Sequence, residues 1–199
     1  MSRPDLARFK RLARVVRIII LVTFWVSVVA AGLSGLSALA LEFLPDDLFF
    51  YSRDGGTMWF TIDGMVKFRL DSPGVAEVNV KPVLSTILLI LPLVLAMLAV
   101  ILHQLAGILR TVEEDRPFAV ENASRLYIMG AVLVAGSFLW RLAQLVVVYQ
   151  AITALRISDD VILTYTVDPS MLLGGFLLQI LGGVFRYGNY LQQEYDATV

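Results

Sequence analysis

Arg141 is placed where an arginine is costly. It interrupts an apolar run from Leu126 to about Ala151, and a central arginine in a membrane-spanning helix costs roughly 2.5–3.5 kcal/mol on insertion scales. The apolar runs hold no Asp or Glu to pair with it, which argues against a carboxylate proton relay. Its candidate partners are Gln144, Gln179, backbone carbonyls, water, and Glu42 at the end of the first apolar run. Such a group suits an anionic ligand, a lipid headgroup or a water-filled path; a snorkelling or interhelical structural arginine is the plainer alternative. His103 is the only histidine, too few for a metal site, leaving a pH-sensing or simply interfacial role. Asp46-Asp47 and Asp159-Asp160 offer hard-cation donors without a surrounding ligand pattern. There is no cysteine, hence no disulfide, thiolate zinc site or thiol catalysis. No phosphate-binding loop, zinc-protease helix or nucleophile elbow is present. The expectation is a non-enzymatic protein with no metal and no cofactor.

The densest polar chemistry lies elsewhere, in "VEEDRPFAVENASRLYIMG" at 112–130. Taken as the start of a helix, it has Asp115 as a cap ahead of an early Pro117. Phe118, Asn122, Arg125 and Met129 then fall on one stripe, at spacings of four, three and four. Glu121 precedes Arg125 by four residues, the favourable order for a helix ion pair. The C-terminal tail places Val184, Gly188, Leu191 and Tyr195 on a stripe of its own, so it reads as amphipathic.

Membrane spans must position these groups. Of 199 residues, 58% are hydrophobic and 17% charged, with a mean hydropathy of +0.76, against about 25% charged in ordinary soluble domains. No charge occurs between Arg17 and Glu42 or between Lys81 and Arg110, and about 20 apolar helical residues cross a bilayer. The chain reads as a single integral membrane domain over 1–199, an all-α transmembrane four-helix bundle with spans at roughly 15–41, 83–109, 126–151 and 170–185. Pro92 is expected to kink the second span. The first span and "ALA" at 38–40 resemble a secretory signal, but its apolar run exceeds the usual signal length, so an uncleaved anchor is expected. Its "AAGLSGLSALA" would admit a close helix neighbour. Arg3, Arg8, Lys10, Arg11, Arg14 and Arg17 against Asp5 place the N-terminus in the cytosol by the positive-inside rule. They are better explained as topology signals and anionic-lipid contacts than as a nucleic-acid site.

An even number of spans puts both termini and the 110–125 segment in the cytosol, and the 42–82 and 152–169 loops outside. "TMWFTIDGMVKFRL" reads as a hairpin turning at Asp63-Gly64, and "VILTYTV" as a further strand. Together the two loops are expected to form a small extracytoplasmic β-sheet. Trp25, Trp59 and Trp140 read as packing or interface anchors.

"RPFAVENASRLYIMG" resembles the signature of a bacterial four-span membrane family, domain of unknown function 2975, whose members share a G-x-PF…N…RL…G pattern. Pro117, Phe118, Asn122, Arg125, Leu126 and Gly130 fit it. The ending "VFRYGNYLQQEYDATV" fits the family's tail pattern at Phe185, Gly188, Leu191, Glu194, Asp196, Thr198 and Val199. Asp115-Arg116 stands where the family often has a small residue or Gly, and Ala197 replaces a larger apolar residue. The resemblance implies a bacterial inner-membrane protein and genetic pairing with a small helix-turn-helix regulator; it implies no reaction. Two polar motifs on one side suggest either internal packing or a docking surface for a soluble partner, with Phe118, Asn122, Arg125, Leu191 and Glu194 as its residues. The functional expectation is therefore a regulatory or signalling membrane protein. The alternative is a small transporter or channel with Arg141, Gln144 and Gln179 along a polar path. A homo-oligomer is left open.

The topology has a direct test. In intact cells, an impermeant thiol reagent should label Thr57→Cys and leave Ser2→Cys and Thr198→Cys unlabelled. Strong labelling of either terminal position with none at Thr57→Cys would refute the orientation.

Overall fold

The computed structural model describes residues 3–52, 58–62, 66–70, 77–155 and 168–198. Four long helices dominate them: α1 (Arg3–Glu42), α2 (Lys81–Glu113), α3 (Val120–Leu155) and α4 (Pro169–Thr198). Every one contains a stretch long and apolar enough to cross a membrane: Lys10–Glu42, Lys81–Glu113, Val120–Ala154 and Pro169–Tyr195. The chain is thus built as a multi-pass membrane protein. Its helices leave rows of Leu, Ile, Val and Phe exposed, a surface that water would not tolerate and lipid requires. At 30 residues or more and 1.5 Å per residue, each helix is longer than the roughly 30 Å hydrocarbon layer. Several turns are therefore left over at the ends. α4 continues well beyond the expected limit at 185, through the polar tail.

Local sequence fixes the helix starts. Asp168 Oδ1 accepts a 2.8 Å bond from the Ser170 backbone N–H, with Pro169 as the first helical residue, an acidic cap followed by a residue that lacks the unsatisfied N–H. Asn79 Oδ1 accepts from the Lys81 N–H at the head of α2. The α2 helix runs through Pro92 without interruption.

The β-structure differs from the expectation. The strands β1 (Phe50–Ser52), β2 (Met58–Ile62), β3 (Val66–Leu70) and β4 (Glu77–Asn79) form two separate two-stranded antiparallel ladders, β1 with β4 and β2 with β3. All four come from the 42–82 loop, so a sheet joining that loop to 152–169 is not supported. On the other side α3 remains helical to Leu155, which takes the first residues of the 152–169 loop out of any strand. The β2–β3 pairing follows the two runs flanking Asp63-Gly64, with Ile62 opposite Val66. The turn itself and "VILTYTV" lie outside the described residues.

Backbone packing divides the chain into two units. One comprises Met1–Gly32, Leu93–Trp140 and Val167–Val199; the other comprises Leu33–Pro92 and Arg141–Thr166. In the second unit, Lys81 Nζ pairs with Asp46 Oδ1 at 2.7 Å and donates to the Leu44 carbonyl at 2.8 Å, tying the chain after α1 to the head of α2. Pro92 lies opposite Gly35.

The α1 helix has a pattern that composition alone hides. Ala13, Ile20, Ser27, Ser34 and Leu41 are buried, together with Ala38, and Arg17, Phe24 and Ala31 between them are half-buried. The spacing alternates four and three, a seven-residue repeat. Two of the buried positions are serines; Ser27 Oγ donates to the Thr23 carbonyl within its own turn at 2.8 Å, so its hydroxyl enters the seam already satisfied.

α2 ends differently from the sequence expectation. The Arg116 N–H donates to the Thr111 carbonyl at 2.9 Å and the Asp115 N–H to Val112 at 3.3 Å, the double closure of a Schellman motif. Asp115 has φ 60°, the left-handed position usually filled by Gly. It closes α2 and does not cap α3, which starts only at Val120. Arg116 to Ala119 form a turn, closed by the Ala119 N–H on the Arg116 carbonyl. This position is also the Gly of the G-x-PF pattern, so the departure noted in the sequence falls on a backbone site that favours Gly. In exchange, Asp115 Oδ2 pairs with Lys10 Nζ at 2.5 Å.

A left-handed conformation costs an L-residue roughly 1–2 kcal/mol, and an exposed ion pair contributes about 0–1 kcal/mol. Asp115→Gly should therefore melt in detergent no lower than the parent, whereas Asp115→Val should melt lower. A clear loss of stability in Asp115→Gly would show that the Lys10 pair outweighs the backbone cost.

Candidate functional site

The polar segment and the tail meet in the first unit. α3 begins one short turn after α2 ends, which brings the last turns of α2 beside the first turns of α3. Across that junction Asn122 is 0% exposed. Its Nδ2 donates to Thr111 Oγ1 at 2.6 Å and to the Pro117 carbonyl at 2.9 Å. Its Oδ1 accepts from Arg125 Nη1 at 2.9 Å, and the same Nη1 donates to the Gly107 carbonyl at 2.7 Å. Thr111 in turn donates to the Ile108 carbonyl. One amide thus joins the end of α2, the connecting turn and the start of α3. Gly107 makes room for this: a Cβ there would lie 2.7 Å from Arg125 Nε. The expected Glu121–Arg125 pair gives way, because a backbone carbonyl and an amide oxygen take the guanidinium instead.

α4 closes on the same junction. The Phe118 ring lies 5.4 Å from that of Phe185, and a Cβ on Gly188 would come 3.0 Å from Phe118. Asn189 Nδ2 donates to the Phe118 carbonyl at 2.7 Å. Further along, Gly175 and Gly130 let the backbones of α3 and α4 approach directly; a Cβ on Gly130 would lie 2.6 Å from the Gly175 carbonyl oxygen. Gly182 repeats the approach against Ala123 and Tyr127. Gln179 packs on Gly130.

α1 reaches this end through charges. Arg17 Nη1 lies 3.0 Å from Glu113 Oε2 and Arg14 Nε 3.9 Å from it, while Lys10 holds Asp115. Glu113 Oε1 is buried with no hydrogen-bond partner among the described residues. Outside, Arg116 and Arg110 both bind Glu114. Those two hydrogen bonds, Arg116's first, hold the Glu114 carboxyl below its ordinary value.

The residues singled out in the sequence fall into distinct places. Asn122 and most of Arg125 face inward. Phe118 keeps 40% of its surface exposed and Leu191 45%; Glu194 is exposed as well. Arg141 is half-buried in the second unit, donating to Gln144 Oε1 at 2.8 Å, with further interactions at both residues. His103 is exposed, its ring 5.6 Å from that of Phe24. Trp25 and Trp140 are exposed among apolar neighbours, and Asp46 is taken by Lys81. Asp159-Asp160 and the Trp59 side chain lie outside the described residues. Sequence reasoning missed Thr111, Asn189 and Glu113; the only signal for Thr111 and Glu113 was position at the end of α2, and Asn189, well inside α4, belongs to no recognisable spacing.

The geometry makes a stability forecast. Asn122→Ala takes the donor from the buried Thr111 Oγ1 and leaves the part-buried Pro117 carbonyl and an Arg125 N–H unpaired, and an unmet group in a buried site costs about 1–3 kcal/mol. Loss of about 2–4 kcal/mol is expected in thermal or SDS unfolding, larger than for the half-exposed Phe118→Ala. An unchanged melt for Asn122→Ala would show that the network holds nothing.

A family model described as a protein of unknown function (DUF2975) matches residues 67–199, about two thirds of the chain. The match takes in α2, α3 and α4 with the whole α2–α3–α4 junction, and begins after α1. No curated protein and no solved structure matches the chain.

Proposed function

The chain belongs to this family of unknown function, and from that premise we propose a non-enzymatic regulatory or signalling role in the bacterial inner membrane, with both termini in the cytosol and a soluble partner held at the α2–α3–α4 end. The supporting observation is the way the tail is mounted. The part of α4 around Phe185, Gly188 and Asn189 is fixed against Phe118; Tyr187 and Tyr190 turn away from that contact and Leu191 and Tyr195 follow it along the tail, all four at 45–71% exposure. Tyrosines on a rigid support are the residue type that dominates interface energies, because they cover a large area at little cost in side-chain freedom.

The docking residues are accordingly the outer ones, Leu191, Glu194, the exposed edge of Phe118 and the tyrosines. Asn122 and Arg125 hold the support beneath them. The partner suggested by the family resemblance is a small helix-turn-helix regulator. Charge favours a protein over nucleic acid here, since Glu194 is an acid and the other groups are neutral.

The test is crosslinked co-purification from native membranes with the wild type, Tyr187→Ala/Leu191→Ala and Phe118→Ala, each checked by its melt. Hot-spot truncations cost more than about 1 kcal/mol apiece, so the double variant should retain its partner at least tenfold less well while melting like the wild type. An identical bound set from a folded double variant would end the docking reading.

A further inference from the structure

The basic start of α1 has two faces with different fates. Lys10 and Arg17 point inward and are consumed by Asp115 and Glu113 at 2.5 and 3.0 Å. Arg11 is exposed, and among the described residues no acid pairs with it. Arg14 is 70% exposed and only 3.9 Å from a carboxylate that Arg17 already holds at 3.0 Å. Arg11 and Arg14 are three apart, hence neighbours on the helix surface. The same side of α1 continues into Val15, Ile18 and Val22, which are 50%, 54% and 58% exposed. Two guanidinium groups thus stand one turn above an unbroken apolar row.

We infer that Arg11 and Arg14 form a binding site for the phosphate of an anionic phospholipid, whose acyl chain lies along Val15, Ile18 and Val22. Charge complementarity selects an anion, and the planar guanidinium forks suit phosphate oxygens. The apolar row selects a lipid over a free ion, because a soluble anion gains nothing from it. The inner ion pairs serve the site as well: they fix the rotation of α1 about its axis and so keep Arg11 and Arg14 turned outward. The site sets the depth of α1 in the bilayer, with residues 11–14 at headgroup level and the apolar row just below. It does not depend on the docking surface of α4.

The experiment uses the full chain in nanodiscs made with a mixture of phosphatidylglycerol and phosphatidylcholine, followed by native mass spectrometry of the lipids retained. Each basic residue near an anionic surface is worth about fivefold, so the wild type should favour phosphatidylglycerol by roughly thirtyfold. Arg11→Gln/Arg14→Gln should abolish that preference without lowering the melt in pure phosphatidylcholine discs. Lys10→Gln should keep it. Equal retention of the two lipids by the wild type overturns the proposal, as does a preference that survives in the double variant. Loss in Lys10→Gln as complete as in the double variant assigns the effect to overall helix charge and overturns it too. Inorganic phosphate in excess should leave the lipid bound; displacement by phosphate makes the site one for the free anion, and the lipid assignment falls.

Discussion

Helices in a bilayer gain little by hiding apolar side chains from one another, because lipid tails are just as apolar. Association must come from close backbone approach and from polar groups that find partners. The first unit of this protein uses both devices, and they are graded along the helices. Along the lipid-facing length the contacts are steric: Gly130 on Gly175, Gly182 on Ala123, and the small residues of the α1 seam. At the polar end they become hydrogen bonds and ion pairs centred on Asn122 and Glu113. The amide of Asn122 can be wholly enclosed because its donors and its acceptor all meet a partner. Removing any one partner would leave a buried group with nothing to replace it.

The same constraint explains how far the sequence could be read. Four apolar runs could be seen directly, since length and apolarity alone decide whether a helix can cross a bilayer. The two β-rich runs about Asp63-Gly64 were legible as paired strands for an equally local reason. Their combination with a strand from the second loop was not, because strand pairing across long chain separations depends on where the helices deliver each loop. Of the Phe118/Asn122/Arg125 stripe, Asn122 and Arg125 share one side of α3, while Phe118 lies in the turn before that helix. The stripe's direction was not legible: a Phe/Asn/Arg stripe looks the same whether it faces water or a neighbour, and only the arrival of Thr111, Gly107 and the tail shows that it faces inward. Asp115 shows the opposite limit. A cap is read from residue type, and Asp is as plausible ahead of a helix as behind one; its left-handed backbone becomes evident only from the Thr111–Arg116 and Val112–Asp115 bonds.

Glu113 stands apart from the satisfied network. One oxygen is held by Arg17, and the other is buried without a partner among the described residues. Its carboxylate is retained at the end of α2 by cations supplied by α1, a helix that lies outside the region matched by the family. The conformation of the shared α2–α3–α4 region is therefore tied, through charge, to a segment that the shared region does not contain.

The seven-residue repeat of α1 also limits how that helix can change length. A single inserted or deleted residue would turn everything beyond it by about 100°, moving Ser34, Ala38 and Leu41 from the seam to the lipid and bulky Leu side chains into a space shaped for Ala and Ser. A change of seven residues would return every later position to its face. Gain or loss of whole repeats is thus the low-cost route for α1 to follow bilayers of different thickness, and shorter steps would need compensating changes in the helix it packs against.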